Sequence, residues 1–241
     1  MTSLGIFVTG TDTGVGKTIV AAVLARLLSR RGVDVGVMKP VTSGCIERNS
    51  TLISEDAELL AWSAGLPGVG HDNAPYLLKA PIAPSEAATL DGIKIDFHAI
   101  RDAYVRLTER HDFVIVEGAG GLMVPLAGGL LVADLINTLQ LPALVVTRPN
   151  LGIINHTLLT TYAARQMGIR LAGIIINSYP SEPDQAESYA PHLLGSLASA
   201  PILGIFPSLT ESNQHALVER LSEELSSHPL TPFLLKELGI D

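Results

Sequence analysis

The sequence predicts an α/β protein built on a mostly parallel, doubly wound sheet with helices on both faces. Largely apolar, β-prone runs recur along the chain, at 4–8, 33–38, 113–116, 141–147, 171–176 and 202–206. Runs that are apolar throughout suit strands buried on both faces. Segments with helical periodicity alternate with them, which is the arrangement of successive βα units. The length of 241 residues, with 47% hydrophobic and 17% charged, suffices for one well-filled core, so residues 1–241 are expected to form a single domain.

The first run leads into Thr9-Gly10-Thr11-Asp12-Thr13-Gly14-Val15-Gly16-Lys17-Thr18. Its glycines permit turns closed to other residues and let backbone N–H groups converge on an anion. From Gly16 onward Val20, Val23, Leu24, Leu27 and Leu28 recur at helical spacing. The loop therefore feeds a helix whose N-terminus carries about half a positive charge. Strand, glycine loop, Lys17-Thr18 and helix in this order predict a phosphate cradle of the P-loop nucleotide-hydrolase kind, with Lys17 for phosphate charge and Thr18 for a magnesium ion. The loop is a variant, because the strict pattern places its first glycine at position 11, where this chain has Thr11.

The second run ends in Lys39-Pro40-Val41-Thr42-Ser43-Gly44. At the carboxyl edge, where doubly wound sheets bind ligands, Lys39 is a candidate second phosphate or carboxylate contact; a solvated loop lysine is the alternative. Cys45 has no partner histidine motif and reads as a small loop residue. Residues 46–55 read as a polar loop, after which Asp56 opens a helix through Ala64, either capping or charge-complementing the helix start or serving as a metal ligand. Residues 65–95 are interrupted by Pro67, Gly68, Gly70, Pro75, Pro81 and Pro84. They predict a long loop that covers substrate.

An amphipathic helix is expected over 96–110, with Phe97, Ile100, Tyr104 and Leu107 on one face. The next run ends in Glu117-Gly118-Ala119-Gly120-Gly121. A buried strand closing on a carboxylate resembles the second nucleotide-hydrolase signature, whose acid holds magnesium directly or through water; an ordinary strand-end acid is the alternative. Beyond the strand at 141–147, Asn150 to His156 leads into a helix reaching about Met167, with Asn150 as a possible N-cap. The strand at 171–176 ends in Asn177, the strand at 202–206 ends at Pro207, and the tail from Thr210 reads as helical through Leu217, Leu221 and Leu225.

The net charge of −8 argues against a general nucleic-acid or anionic-membrane surface, since both reward clustered Lys and Arg. One cysteine rules out an intrachain disulfide framework, and the start of the chain shows no secretory pattern, so a cytoplasmic location is expected. The longest uncharged Gly/Leu/Val stretch, Gly118 to Ala133, is too short for a membrane span and is broken by Pro125. No H-E-x-x-H, C-x-x-C or G-x-S-x-G occurs, and the seven histidines are scattered, so no essential histidine is expected.

T-G-T-D-T-G-V-G-K-T, K-P-V-T-S-G, V-E-G-A-G-G, L-G-I-I-N-H and I-I-I-N, in this order and across nearly the whole chain, resemble dethiobiotin synthases. The resemblance implies closure of a ureido ring from 7,8-diaminononanoate, CO2 and ATP, with Mg2+ required, by a homodimer of P-loop subunits. It implies that Thr13, Gly14, Val15, Gly16, Lys17 and Thr18 wrap the ATP phosphates, with Gly118 and Gly120 beside them. Thr18, Asp56 and Glu117 would surround magnesium. Lys39 would stand between the γ-phosphate and the substrate carbamate, making Lys17, Lys39 and Thr13 the catalytic groups, and Thr13 and Ser43 would contact the carbamate or diamine. Asn177 would bond the adenine, with the backbone at Phe206 and Pro207 completing that pocket. Leu151, Gly152, Ile153 and Asn155 would hold the far carboxylate across the dimer interface.

Some members of that family are acidic where this chain has Gly14, which bears on nucleotide choice and not on reaction type. Two other readings share the fold. A partitioning-type or nitrogenase-reductase-like ATPase carries a signature lysine five positions before the phosphate lysine, where this chain has Asp12. A cobyrinic-acid-type amide ligase would ordinarily need a glutaminase domain with a nucleophilic cysteine, and Cys45 lies in the wrong context for that.

Overall fold

A computed structural model of the chain describes residues 4–240. In chain order the elements are β1 (Leu4–Gly10), α1 (Lys17–Arg30), β2 (Val35–Met38), β3 (Val41–Thr42), β4 (Ile46–Arg48), β5 (Thr51–Ile53), α2 (Glu55–Ser63), β6 (Tyr76–Leu77), α3 (Pro84–Asp91) and α4 (Phe97–Thr108). There follow β7 (Phe113–Gly121), β8 (Pro125–Ala127), β9 (Leu130–Leu131), α5 (Val132–Leu139), β10 (Ala143–Thr147), α6 (Ile153–Gln166), β11 (Leu171–Tyr179), α7 (Gln185–Leu197), β12 (Ile202–Pro207), α8 (Gln214–Ser227) and α9 (Thr231–Leu238).

The main sheet has six strands in the order β12-β11-β10-β1-β7-β2, every neighbouring pair parallel. From β1 the chain first builds outward to β2, returns to fill the gap with β7, and then crosses to β10 on the other side. The topology thus reverses at β1, and the crevice beyond the carboxyl end of this strand is where open α/β sheets take ligands.

Alternation along the strands divides the apolar residues between two faces. Ile6, Val8, Phe113 and Ile115 pack with α1, α2, α8 and α9, whereas Phe7, Val114 and Val116 pack with α4, α5 and neighbouring segments. The α1 residues Val20, Val23, Leu24, Leu27 and Leu28 are essentially inaccessible; each contributes about 1.5–3 kcal/mol by leaving water. The sequence periodicity therefore marked a helix that is buried along most of its length.

Several expectations need correction. The region 46–55 is no plain loop: β4 and β5 pair as an antiparallel hairpin, turned by Asn49 and Ser50 at φ 52° and 60°, the left-handed pair that a tight hairpin requires. Within 65–95 the chain forms β6, which pairs with β3, and α3, where Pro84 sits in the first turn and Gly92 closes the helix at φ 64°. Proline at that position starts a helix, because the missing N–H had no partner to lose. Ser54, not Asp56, caps α2, accepting from the Ala57 amide at 3.1 Å. Gly152, not Asn150, is the N-cap of α6. Helices α5 and α7 complete the βα units. Among the described residues no helix is long and apolar enough to cross a membrane.

Candidate active site

The order of the sheet brings three separate sequence motifs to one place. β7 lies between β1 and β2, with Glu117 in register with Val8 and Val116 with Met38. Lys39, the residue after Met38, therefore emerges beside Glu117, and the loop after Gly10 emerges on the other side. Ser54 anchors a fourth component: its hydroxyl donates to Thr42 Oγ1 at 3.1 Å and fixes the first turn of α2, which carries Asp56.

Glu117 is the centre. It is 1% exposed, and its Oε1 accepts from Lys39 Nζ at 2.6 Å and from the Thr18 hydroxyl at 2.8 Å. Lys39 Nζ also donates to Asp56 Oδ2 at 2.7 Å. Glu117 Oε2 is buried without a hydrogen-bond partner among the described residues. Burial pushes the Glu117 carboxyl up, with Lys39 and Thr18 pulling against it. Burial alone would lower Lys39, yet the carboxylates of Glu117 and Asp56 outweigh it and hold the ammonium above its usual value. For Asp56 burial is likewise outweighed, by the Lys39 charge, and its carboxyl is held low.

Lys17 opens α1 and donates to the Asp12 carbonyl at 3.0 Å; burial lowers its pKa. The N-cap Gly16 stands at φ 91° with no side-chain cap, and no acid occupies the first turn of α1. The amides at this helix start are thus left for an anion.

These groups face one cavity of about 630 Å³. Of the residues singled out by sequence, Thr13, Gly14, Gly16, Lys17, Thr18, Lys39, Ser43, Asp56, Glu117 and Gly120 line it. Pro81, Ile82, Ala83 and Pro84 contribute to its wall, so the predicted covering segment narrows to these four residues. Val15 is turned into the core. Gly118 lies beneath the cavity, where a Cβ would come 2.7 Å from Phe7 Cε1, so its smallness serves sheet packing.

Asn177 is buried under the loop, donating from Nδ2 to the Val15 carbonyl at 3.0 Å. Phe206 places its ring in the core, leaving its backbone and Pro207 at the end of β12 beside Tyr179. Leu151, Gly152, Ile153 and Asn155 form the start of α6 and do not line the cavity of their own chain. Cys45 donates to the Thr42 carbonyl at 3.4 Å, and burial raises its thiol.

Sequence reasoning missed Arg148, whose guanidinium donates to the Gly14 carbonyl across 134 residues of sequence. Its only signal was a cation directly after a strand, the same signal that marked Lys39. Thr42 and Gln214, which line the cavity, were also passed over.

Two carboxylates and a hydroxyl are hard oxygen donors, and Glu117 keeps a buried oxygen without a partner. This set fits magnesium, which takes one or two protein carboxylates and completes its shell with phosphate and water. Among the described residues there is no cluster of three His, Cys, Asp or Glu of the kind an all-protein metal cage needs.

A family model described as "AAA domain" matches residues 4–216. An ATP-dependent dethiobiotin synthetase of Bacillus licheniformis is 44% identical over 209 residues, covering 87% of this chain and 88% of that protein. Another, from Bacillus subtilis subsp. natto, is 39% identical over 236 residues, covering 98% and 99%. Among solved structures, the Aquifex aeolicus MinC:MinD cell division protein complex matches with a TM-score of 0.57 at 17% identity, covering 98% of this chain and 94% of that one, a likeness of fold. With identity of this extent along nearly its whole length, the chain belongs to the family of ATP-dependent dethiobiotin synthetases.

Proposed function

We propose that this protein, acting as a single catalytic domain in the cytoplasm, converts 7,8-diaminononanoate, CO2 and ATP into dethiobiotin, ADP and phosphate. The observation that carries the reading is the convergence of Lys17, Thr18, Lys39, Asp56 and Glu117 on one cavity in a member of this family. A substrate amine captures CO2 as a carbamate, losing a proton. A carbamate oxygen then attacks the γ-phosphorus, the bond to the bridging oxygen breaks, and ADP leaves. The second amine attacks the carbamate carbon of the mixed anhydride, closing the ring and expelling phosphate.

The protein's part is positioning and charge neutralisation. Thr13 to Thr18 wrap the phosphates, with Gly120 alongside. Lys39 bridges γ-phosphate and carbamate, Lys17 neutralises the phosphates, and Thr13 and Ser43 orient the carbamate or diamine. Thr18, Asp56 and Glu117 hold magnesium, which when bound offsets the charge of the phosphate oxygens. Asn177 and the backbone of Phe206 and Pro207 take the adenine. Alignment of the reacting groups can be worth roughly 7–11 kcal/mol, more than a single general base normally supplies. Among the described residues no histidine lines the cavity.

A second copy supplies Leu151, Gly152, Ile153 and Asn155 for the far carboxylate, with the start of α6 as the attracting element. Support for a homodimer comes from the apolar side chains left on that surface: Leu151 is 85% exposed, Leu159 59% and Tyr162 56%. Such a patch marks an interaction surface.

The test is phosphate release from ATP with and without diaminononanoate and bicarbonate. Release should require both. A rate indifferent to either would favour the ATPase-switch alternative.

A further inference from the structure

We propose that Arg148 is a positioning residue for the phosphate loop, fixing the peptide that joins Gly14 to Val15 so that the Val15 amide is presented to the triphosphate. The inference rests on reading residues 10–18 as a triphosphate-binding loop. A trans peptide holds its C=O and N–H on opposite sides. Two successive carbonyls of this loop are taken by side chains from the neighbouring strand ends: that of Gly14 by the guanidinium of Arg148, just after β10, and that of Val15 by Asn177 Nδ2 of β11 at 3.0 Å. Gly14 and Gly16 line the cavity, whereas Arg148 and Asn177 do not. The carbonyls are therefore drawn away from the cavity, and the amides of Val15 and Gly16 are left pointing toward it. Consecutive inward amides form the concave anion site known as a nest.

The rest of the loop shows why its tip needs this partner. At the root, the Thr11 amide donates to the Val146 carbonyl at 3.0 Å, and the hydroxyls of Thr11 and Thr147 lie 3.3 Å apart. Thr147 is fixed in turn by Thr157 at 2.9 Å. The tip has no comparable packing: Gly14 stands at φ 75°, and a Cβ there would meet nothing within 4 Å. Arg148 itself is well aimed, because its backbone runs between buried Thr147 and buried Pro149, and the residue before a proline is held extended. Its acceptor here is a neutral carbonyl and not a carboxylate, so this contact does not offset its positive charge beside the loop.

The experiment is calorimetric titration of ATP and of inorganic tripolyphosphate, without diamine, into the wild type, Arg148→Ala and Arg148→Lys. Expected is a Kd for both ligands raised about tenfold or more in Arg148→Ala and largely restored in Arg148→Lys, in line with loss of a charged hydrogen bond. The thermal midpoint of the unliganded protein should move by no more than about 2 °C, as for a surface substitution. In steady state the KM for ATP should rise much more than kcat falls. Unchanged tripolyphosphate binding by Arg148→Ala would overturn the positioning role, even if ATP binding weakened. Failure of the wild type to bind either ligand would instead overturn the triphosphate-loop reading and this inference with it.

Discussion

Lys39 and Glu117, 78 residues apart in sequence, meet in a buried hydrogen bond of 2.6 Å. A charge this deep tolerates its burial only while its partner is present. Lys39→Ala should therefore abolish turnover and also lower stability by about 3–5 kcal/mol, read from urea denaturation. Adding Glu117→Gln to the same protein should recover a substantial part of that stability and none of the activity. An unchanged denaturation midpoint in Lys39→Ala would contradict the pairing.

The glycines of the loop are predicted to differ sharply. At Gly14 a methyl group meets open space, and the penalty of Gly14→Ala is only that of φ 75°, about 1–2 kcal/mol. At Gly16 the same change adds a Cβ 2.0 Å from Asn177 Nδ2, at φ 91°. Gly16→Ala should displace Asn177 or the loop and eliminate measurable ATP binding, whereas Gly14→Ala should retain it. Equal affinities in a fluorescent-nucleotide titration would refute the geometry.

Away from the site, burial raises the Tyr104 hydroxyl to about 12. The unfolded chain loses this proton near pH 10, the folded protein later, so the unfolded state is favoured progressively as pH rises through that interval. The contribution is present in full below about pH 10 and lost by about pH 12. Tyr104→Phe should thus show a shallower decline of stability over this range than the wild type. Parallel declines would place the hydroxyl in water.

The exposed apolar face of α6 carries the dimer proposal. Leu159→Arg should yield monomers in sedimentation velocity and lose diamine-dependent turnover, while retaining ATP binding within its own cavity. A variant that stayed dimeric and active would remove this face from the interface.

What was legible in the sequence follows from the range of the interactions involved. The order strand, glycine loop, Lys17 and helix is local chemistry, and so are the largely apolar strands that build the sheet. Pro84 was read as a breaker because its meaning depends on whether a helix follows, and Pro191 inside α7 obscured that helix in the same way. A usable signal for α7 was present: Asp184 and Glu187 exchange hydrogen bonds at 2.8 and 2.9 Å, the spacing of a capping box. The short β4–β5 hairpin is exposed on β4 and partly so on β5, so it lacks the alternation that would reveal it. The meeting of Lys39, Asp56 and Glu117 was not legible from spacing, because it depends on β7 inserting between β1 and β2. Arg148 was missed because its partner follows β1, the sheet neighbour of β10 but separated from it along the chain by β2 and β7.

Isotope transfer tests the proposed chemistry most directly. With C18O2 as substrate and short incubation to limit exchange with water, the mechanism predicts that the phosphate released carries one 18O, donated by the carbamate oxygen that attacked the γ-phosphorus, while the ureido carbonyl keeps the other. Dethiobiotin formed with 18O in its carbonyl but none in the phosphate would contradict phosphorylation of the carbamate, and with it the role given to Lys39.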